Sequence, residues 1–193
     1  MINSHSSLEQ HELLQLAVDA INRQESRMAM LYLMDATSRP DASATAHFLL
    51  GSQFAQAQLT EQAMQELEAA VAMDPSLAIA RFQLGLLLLC AGKVGRSAEM
   101  LRTLASEGGS DALNCFACGL LHLIRDEFAE SARYLNEGIR LNAKNDALNK
   151  DMQKILDEIE RSLLQQKNIV STLAETPSTQ HLFLSAYTGK PTH

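Results

Sequence analysis

Three glycines stand inside otherwise apolar, helix-forming stretches, at Gly51, Gly85 and Gly119, with successive members 34 residues apart. A glycine in a helix interior costs about 1 kcal/mol relative to alanine. Three at one fixed step therefore mark positions where a neighbouring helix must come close to the backbone. Three phenylalanines, Phe48, Phe82 and Phe116, keep the same 34-residue step. A fixed period of this length signals an array in which each unit cannot bury its apolar face alone and stacks on its neighbours. The chain has only 4 prolines and 9 glycines in 193 residues, and is rich in Ala, Leu, Gln and Glu. Those side chains lose little rotamer freedom in a helix, so the expected fold is all-α.

The positions around each glycine repeat as well. The second unit reads His47-x2-Leu50-Gly51-x2-Phe54, then Ala63-x3-Leu67, Ala70 and Pro75. The third reads Arg81-x2-Leu84-Gly85-x2-Leu88, a turn at Gly92, then Ser97-x3-Leu101 and Gly109. The fourth reads Cys115-x2-Cys118-Gly119-x2-His122, then Ser131-x3-Leu135, Gly138 and Ala143. One step back, Leu13-x2-Leu16-Ala17-x2-Ala20 followed by Ala29-x3-Leu33 and Ala36 forms a weaker first unit. This pattern resembles the tetratricopeptide repeat (TPR), whose 34 residues run Trp-x2-Leu-Gly-x2-Tyr, Ala-x3-Phe and Pro. The chain departs from it in having no tryptophan and in lacking the terminal proline in the third and fourth units. The resemblance implies a right-handed superhelix of about four TPR helix pairs, at residues 10–43, 44–77, 78–111 and 112–145, after a leader of residues 1–9.

Beyond the fourth unit, Asn145-Asp146 is a helix N-cap region. Leu148, Met152, Ile155, Ile159 and Leu163 then trace one apolar stripe opposite Lys150, Asp151, Lys154, Asp157, Glu158 and Arg161. A helix apolar on one side and charged on the other suits the open end of a solenoid, so residues 146–168 are expected to be a capping helix. Residues 169–193 read as a linker and a short apolar helix: Thr176-Pro177 starts it, Leu182-Phe183-Leu184 is its core, and Gly189 stops it.

The formal charge of −7 and the scattered Lys and Arg leave no basic stripe of the kind a phosphate backbone requires, so no nucleic acid is expected. The longest apolar run, Leu86 to Ala91, is far short of the roughly 20 residues that span a bilayer. The start, Met-Ile-Asn-Ser-His-Ser-Ser, has no signal-peptide character. Three cysteines, Cys90, Cys115 and Cys118, sit in apolar helical pattern. An odd count suits a reducing compartment, so a cytoplasmic protein is expected.

Cys115, Cys118 and His122 lie at i, i+3 and i+7, on one helical face. They also occupy the Trp, Leu and Tyr positions of the repeat and have no obvious fourth ligand, so packing is favoured over metal or redox chemistry. No nucleophile elbow, phosphate loop or metalloprotease motif occurs, and no cofactor or catalysis is expected. The resemblance implies instead a concave face formed by the first helix of each repeat. Its inward positions are Phe48, Leu49 and Ser52, then Phe82, Leu86 and Leu89, then Phe116, Leu120, Leu123 and Ile124. Two fates are open to them, an accessible groove or plain inter-repeat core. TPR domains that clamp a terminal carboxylate use Lys, Asn and Arg at such places, which here are apolar. The expected role is thus a scaffold or chaperone-like adaptor for an apolar or amphipathic segment of another protein. Small acidic TPR chaperones of bacterial secretion systems share this size and groove character. The alternative is a structural subunit that forms homo-oligomers through its groove and C-terminal helix.

Overall fold

The computed structural model describes residues 8–106, 111–143 and 145–172, with side chains up to residue 165. Among these residues there are nine α-helices and no strand. They are α1 (Gln10–Asn22), α2 (Ser26–Thr37), α3 (Ala44–Gln56), α4 (Thr60–Met73), α5 (Ala78–Cys90), α6 (Val94–Ser106), α7 (Ala112–Ile124), α8 (Phe128–Leu141) and α9 (Asp146–Thr172). The apolar C-terminal helix expected around Leu182 lies outside the described residues. By its internal contacts the chain divides within α5 into two compact units, residues 1–87 and 88–193.

One turn recurs four times with the repeat period. Gln24, Gln58, Gly92 and Asp126 each follow the first helix of a pair, and each has a left-handed backbone, with φ of 61°, 61°, 72° and 59°. The next residue closes the turn by donating to a carbonyl five residues back: Glu25 to Ala20, Leu59 to Phe54, Lys93 to Leu88 and Glu127 to His122, at 2.8–3.0 Å. These 6→1 bonds satisfy helix-end carbonyls that would otherwise be orphaned. Only the third turn uses the residue best suited to it. Gly92→Ala is therefore expected to cost about 1 kcal/mol, while Gln58→Gly should leave stability unchanged or raise it by up to about 1 kcal/mol. Urea denaturation of both variants measures this; a neutral Gly92→Ala would contradict the left-handed turn.

In the first unit, α1 and α2 pack as a hairpin, α2 packs on α3, and α3 pairs with α4. Leu13, Ala36 and Ala46 form one buried cluster, and Ala17, Leu33 and Leu50 a second. Gly51 sits against α4: a Cβ built on it would lie 2.8 Å from Leu67 Cγ and 3.2 Å from the Ala63 carbonyl. Glu9 and Glu12 form a reciprocal capping box at α1. Ser43 caps α3 by accepting from the Ala46 amide at 3.2 Å.

In the second unit, α6 packs on α7, α7 pairs with α8, and α8 packs on α9. Gly119 repeats the part of Gly51, since a Cβ there would lie 2.7 Å from Leu135 Cδ2. Asp111 caps α7 through the Asn114 amide at 2.8 Å. Asn114 Nδ2 donates back to the Leu104 and Ala105 carbonyls at 2.9 and 3.2 Å, closing the end of α6. Asn145 Oδ1 accepts from the Leu148 amide at 3.1 Å and starts α9. That helix buries Met152, Ile155, Leu156 and Ile159, while Leu164, off the stripe, is 60% exposed.

Candidate functional site

The first helix of each pair carries the residues expected to meet a partner, and the structure divides them by burial. In the first unit, α3 presents Phe48, Leu49 and Ser52, all half-buried. Leu49 packs in part on the Ala17–Leu33–Leu50 cluster. Ser52 Oγ lies 2.9 Å from the Phe48 carbonyl and 2.7 Å from Gln83 Oε1. The serine thus ties α3 to α5, where Leu86 is half-buried and Phe82 is fully enclosed. One period before Ser52, at the weak first repeat, α1 carries Val18, which is 37% exposed. Sequence reading passed over Val18, although the 34-residue register identifies it.

In the second unit, Leu123 and Ile124 at the end of α7 are half-buried, whereas Leu89, Phe116 and Leu120 are buried. The reason is visible for Phe116. Its ring lies directly over Gly138 of α8, where even a single methyl group would collide with it. A glycine in the partner helix opens a slot, and the aromatic ring fills it. The three phenylalanines therefore differ in exposure: Phe48 keeps exposed surface, while Phe82 and Phe116 have none. Phe82, Leu89, Phe116 and Leu120 are enclosed.

Cys115, Cys118 and His122 are held in packing contacts. Cys115 is buried, and Cys118 Sγ lies 4.0 Å from Asn114 Oδ1. His122 Nδ1 meets Glu127 Oε2, and its ring stacks on Tyr134 with centroids 5.2 Å apart and planes 11° apart. The Arg133 guanidinium covers Tyr134 at 4.1 Å. This stack fastens the end of α7 to α8. Among the described residues, no group of three His, Cys, Asp or Glu side chains is placed to hold a metal ion. Burial raises the thiol pKa of Cys115 and Cys118, and pushes that of Cys90 up to about 11 with help from the Asp151 charge. Thiols raised in this way stay protonated at neutral pH and are poor nucleophiles. A disulfide reagent at pH 8 is therefore expected to label the folded protein far more slowly than the urea-unfolded chain. Equal rates would mean the thiols are not shielded.

His47, at the repeat's tryptophan position, has its Nδ1 2.7 Å from Glu66 Oε2, and both side chains are largely buried. It joins α3 to α4, as expected of a satisfied packing histidine. Among the described residues, no helix is long and apolar enough to cross a membrane.

No known protein-family model and no curated protein sequence matches the chain. Solved structures do. A crystal structure of MamA matches with a TM-score of 0.59 and 20% identity, covering 74% of this chain and 83% of that one. Residues 41 to the end of MamA from Desulfovibrio magneticus RS-1 match with a TM-score of 0.57 and 13% identity, over 82% and 95% of the two chains. Pseudomonas aeruginosa PilF matches with a TM-score of 0.58 and 19% identity, over 95% and 78%. These are TPR-containing proteins, and the chain has the tetratricopeptide-repeat fold.

Proposed function

We propose that this chain is a protein-interaction module, a scaffold or chaperone-like adaptor rather than a catalyst, that holds an apolar or amphipathic segment of a partner protein. Repeat proteins of this architecture use the surface presented by successive helices as an extended binding face. The observation that carries the reading is the set of half-buried apolar side chains on first helices, Phe48, Leu49 and Leu86 in one unit and Leu123 and Ile124 in the other. Side chains that already rest on the core and still keep accessible surface lose little entropy when a partner covers them. The positions carry no Lys, Asn or Arg, so a carboxylate clamp has no cations to work with. The odd thiol count suits a reducing compartment, and we place the protein in the cytoplasm on that ground.

The test is affinity capture from lysate with quantitative mass spectrometry, using the intact chain and Phe48→Glu. Partners bound through this face should fall by about tenfold or more when a carboxylate replaces the ring. Unchanged capture at unchanged helicity would sink the reading.

A further inference from the structure

The outward face of α2 departs from its counterparts. Inwardly, α2 buries Ala29, Leu33 and Ala36. The residues one, two and three periods later, from Ala63 and Leu67 through to Leu135 and Gly138, are buried as well. That shared burial sets the register in which the second helices of the four repeats are compared. On the opposite side, α2 carries Met28, Leu31 and Met34, exposed to 38%, 52% and 51%. The matching positions hold Gln62, Gln65 and Glu68 in α4, and Arg96, Glu99 and Arg102 in α6. In α8 they hold Glu130, Arg133 and Asn136. The fold requires no apolar residue there, because three repeats of four place charge or amide at every one of these positions. Apolar surface that folding does not need, gathered into one stripe, is available to a partner.

The flanking charges indicate what fits the stripe. About Leu31 the sequence is symmetric in its apolar residues and antisymmetric in charge: Met28 and Met34 stand three residues either side, Arg27 four before and Asp35 four after. Arg27 is exposed. Asp35 keeps 22% of its side-chain surface and has the Arg39 guanidinium at 3.9 Å. Two such helices laid antiparallel across a two-fold axis at Leu31 bring each Met28 level with Met34 of the other copy. They also bring each Arg27 level with Asp35 of the other copy, whose side chain keeps part of its surface although its Oδ2 is buried. A parallel pairing would set Arg27 against Arg27 and Asp35 against Asp35. An isologous contact has to be complementary to itself in this manner.

We propose that a second copy of this chain covers the stripe, through an antiparallel α2–α2 pair centred on Leu31. Three part-exposed side chains fall well short of the roughly 800 Å² per partner in a stable interface. The dimer is accordingly weak and dissociates on dilution. It uses residues of α2 and none of the first-helix positions, so it stands or falls independently of the binding role proposed above.

Sedimentation equilibrium of the full chain over a concentration series is the test. A monomer–dimer equilibrium is expected, weakened by about tenfold or more in Leu31→Glu, which places a charge at the two-fold axis. Glu99 already occupies the same position in α6, so the variant should keep its far-ultraviolet circular dichroism. Cysteine cross-linking gives a second measurement that does not depend on that variant. Leu31→Cys should form a covalent dimer with itself under mild oxidant, beyond any formed by the parent chain. Met28→Cys and Met34→Cys should cross-link best when mixed. A strictly monomeric chain overturns the proposal, as do a dimer indifferent to Leu31→Glu and an absence of Leu31→Cys cross-linking. A dimer that survives Leu31→Glu but is lost on deleting residues 173–193 also overturns it and assigns association to the C-terminal segment.

Discussion

Phe116→Ala is expected to lower the stability of the fold by about 3–5 kcal/mol, the range for removing a buried aromatic ring and leaving its cavity. The ring has no accessible surface and rests on the bare backbone of Gly138, with the Ala112 carbonyl close by. Gly138→Ala should destabilise through the opposite fault. A methyl group would have to share the space the ring occupies, and overpacking of this kind costs about 1–3 kcal/mol. The two effects should not add. Once Phe116 is truncated, the Gly138 methyl keeps only a tight 3.2 Å approach to the Ala112 carbonyl, and its cost should fall as the helix preference for alanine, about 1 kcal/mol, offsets that crowding. A double-mutant cycle by urea denaturation should therefore give a large coupling between positions 116 and 138. Additive losses would show that the ring does not sit over the glycine.

The same pair shows what could be read without coordinates and what could not. The 34-residue step identified Gly51 and Gly119 as points of close helix approach, and the structure places them against Leu67 and Leu135. It also located the inward rows Ala29–Leu33 and Ala63–Leu67, because a period in the chain repeats a contact in space. Burial on the first helices was not legible in this way. Phe48, Phe82 and Phe116 have one register but different exposure, since a side chain's surroundings depend on what the neighbouring helices supply. Opposite Phe116 that supply is Gly138, and the matching residue in α4 is Ala70. The left-handed turns were hidden for a different reason. Glutamine at positions 24 and 58 gives no local sign of positive φ, and aspartate at 126 only the weak one of a residue that tolerates it; alignment with Gly92 reveals all three. The α2 stripe was hidden because sequence reading followed the positions that repeat, and this feature is one that fails to.

Unequal burial makes two chemically identical substitutions report on different things. Phe82→Glu exchanges a fully enclosed ring for a carboxylate. It forfeits the buried aromatic surface, worth about 3–5 kcal/mol, and adds the cost of an ion in an apolar site or of protonating it. A typical domain has only about 5–15 kcal/mol of net stability, so the variant is expected to lose most of its helical signal at 37 °C. Phe48→Glu replaces a half-buried ring on α3, where the new carboxylate can turn into water. Its helicity should stay close to that of the parent chain, with a stability loss of about 1–2 kcal/mol. Loss of partner capture in Phe82→Glu therefore says nothing about binding, because the face itself is dismantled. The same loss in Phe48→Glu, with circular dichroism intact, isolates contact with the partner. If Phe82→Glu instead folds with parental helicity, Phe82 is not enclosed and belongs with Phe48 on the accessible face. If Phe48→Glu folds and still captures its partners, the first-helix surface is not where they bind.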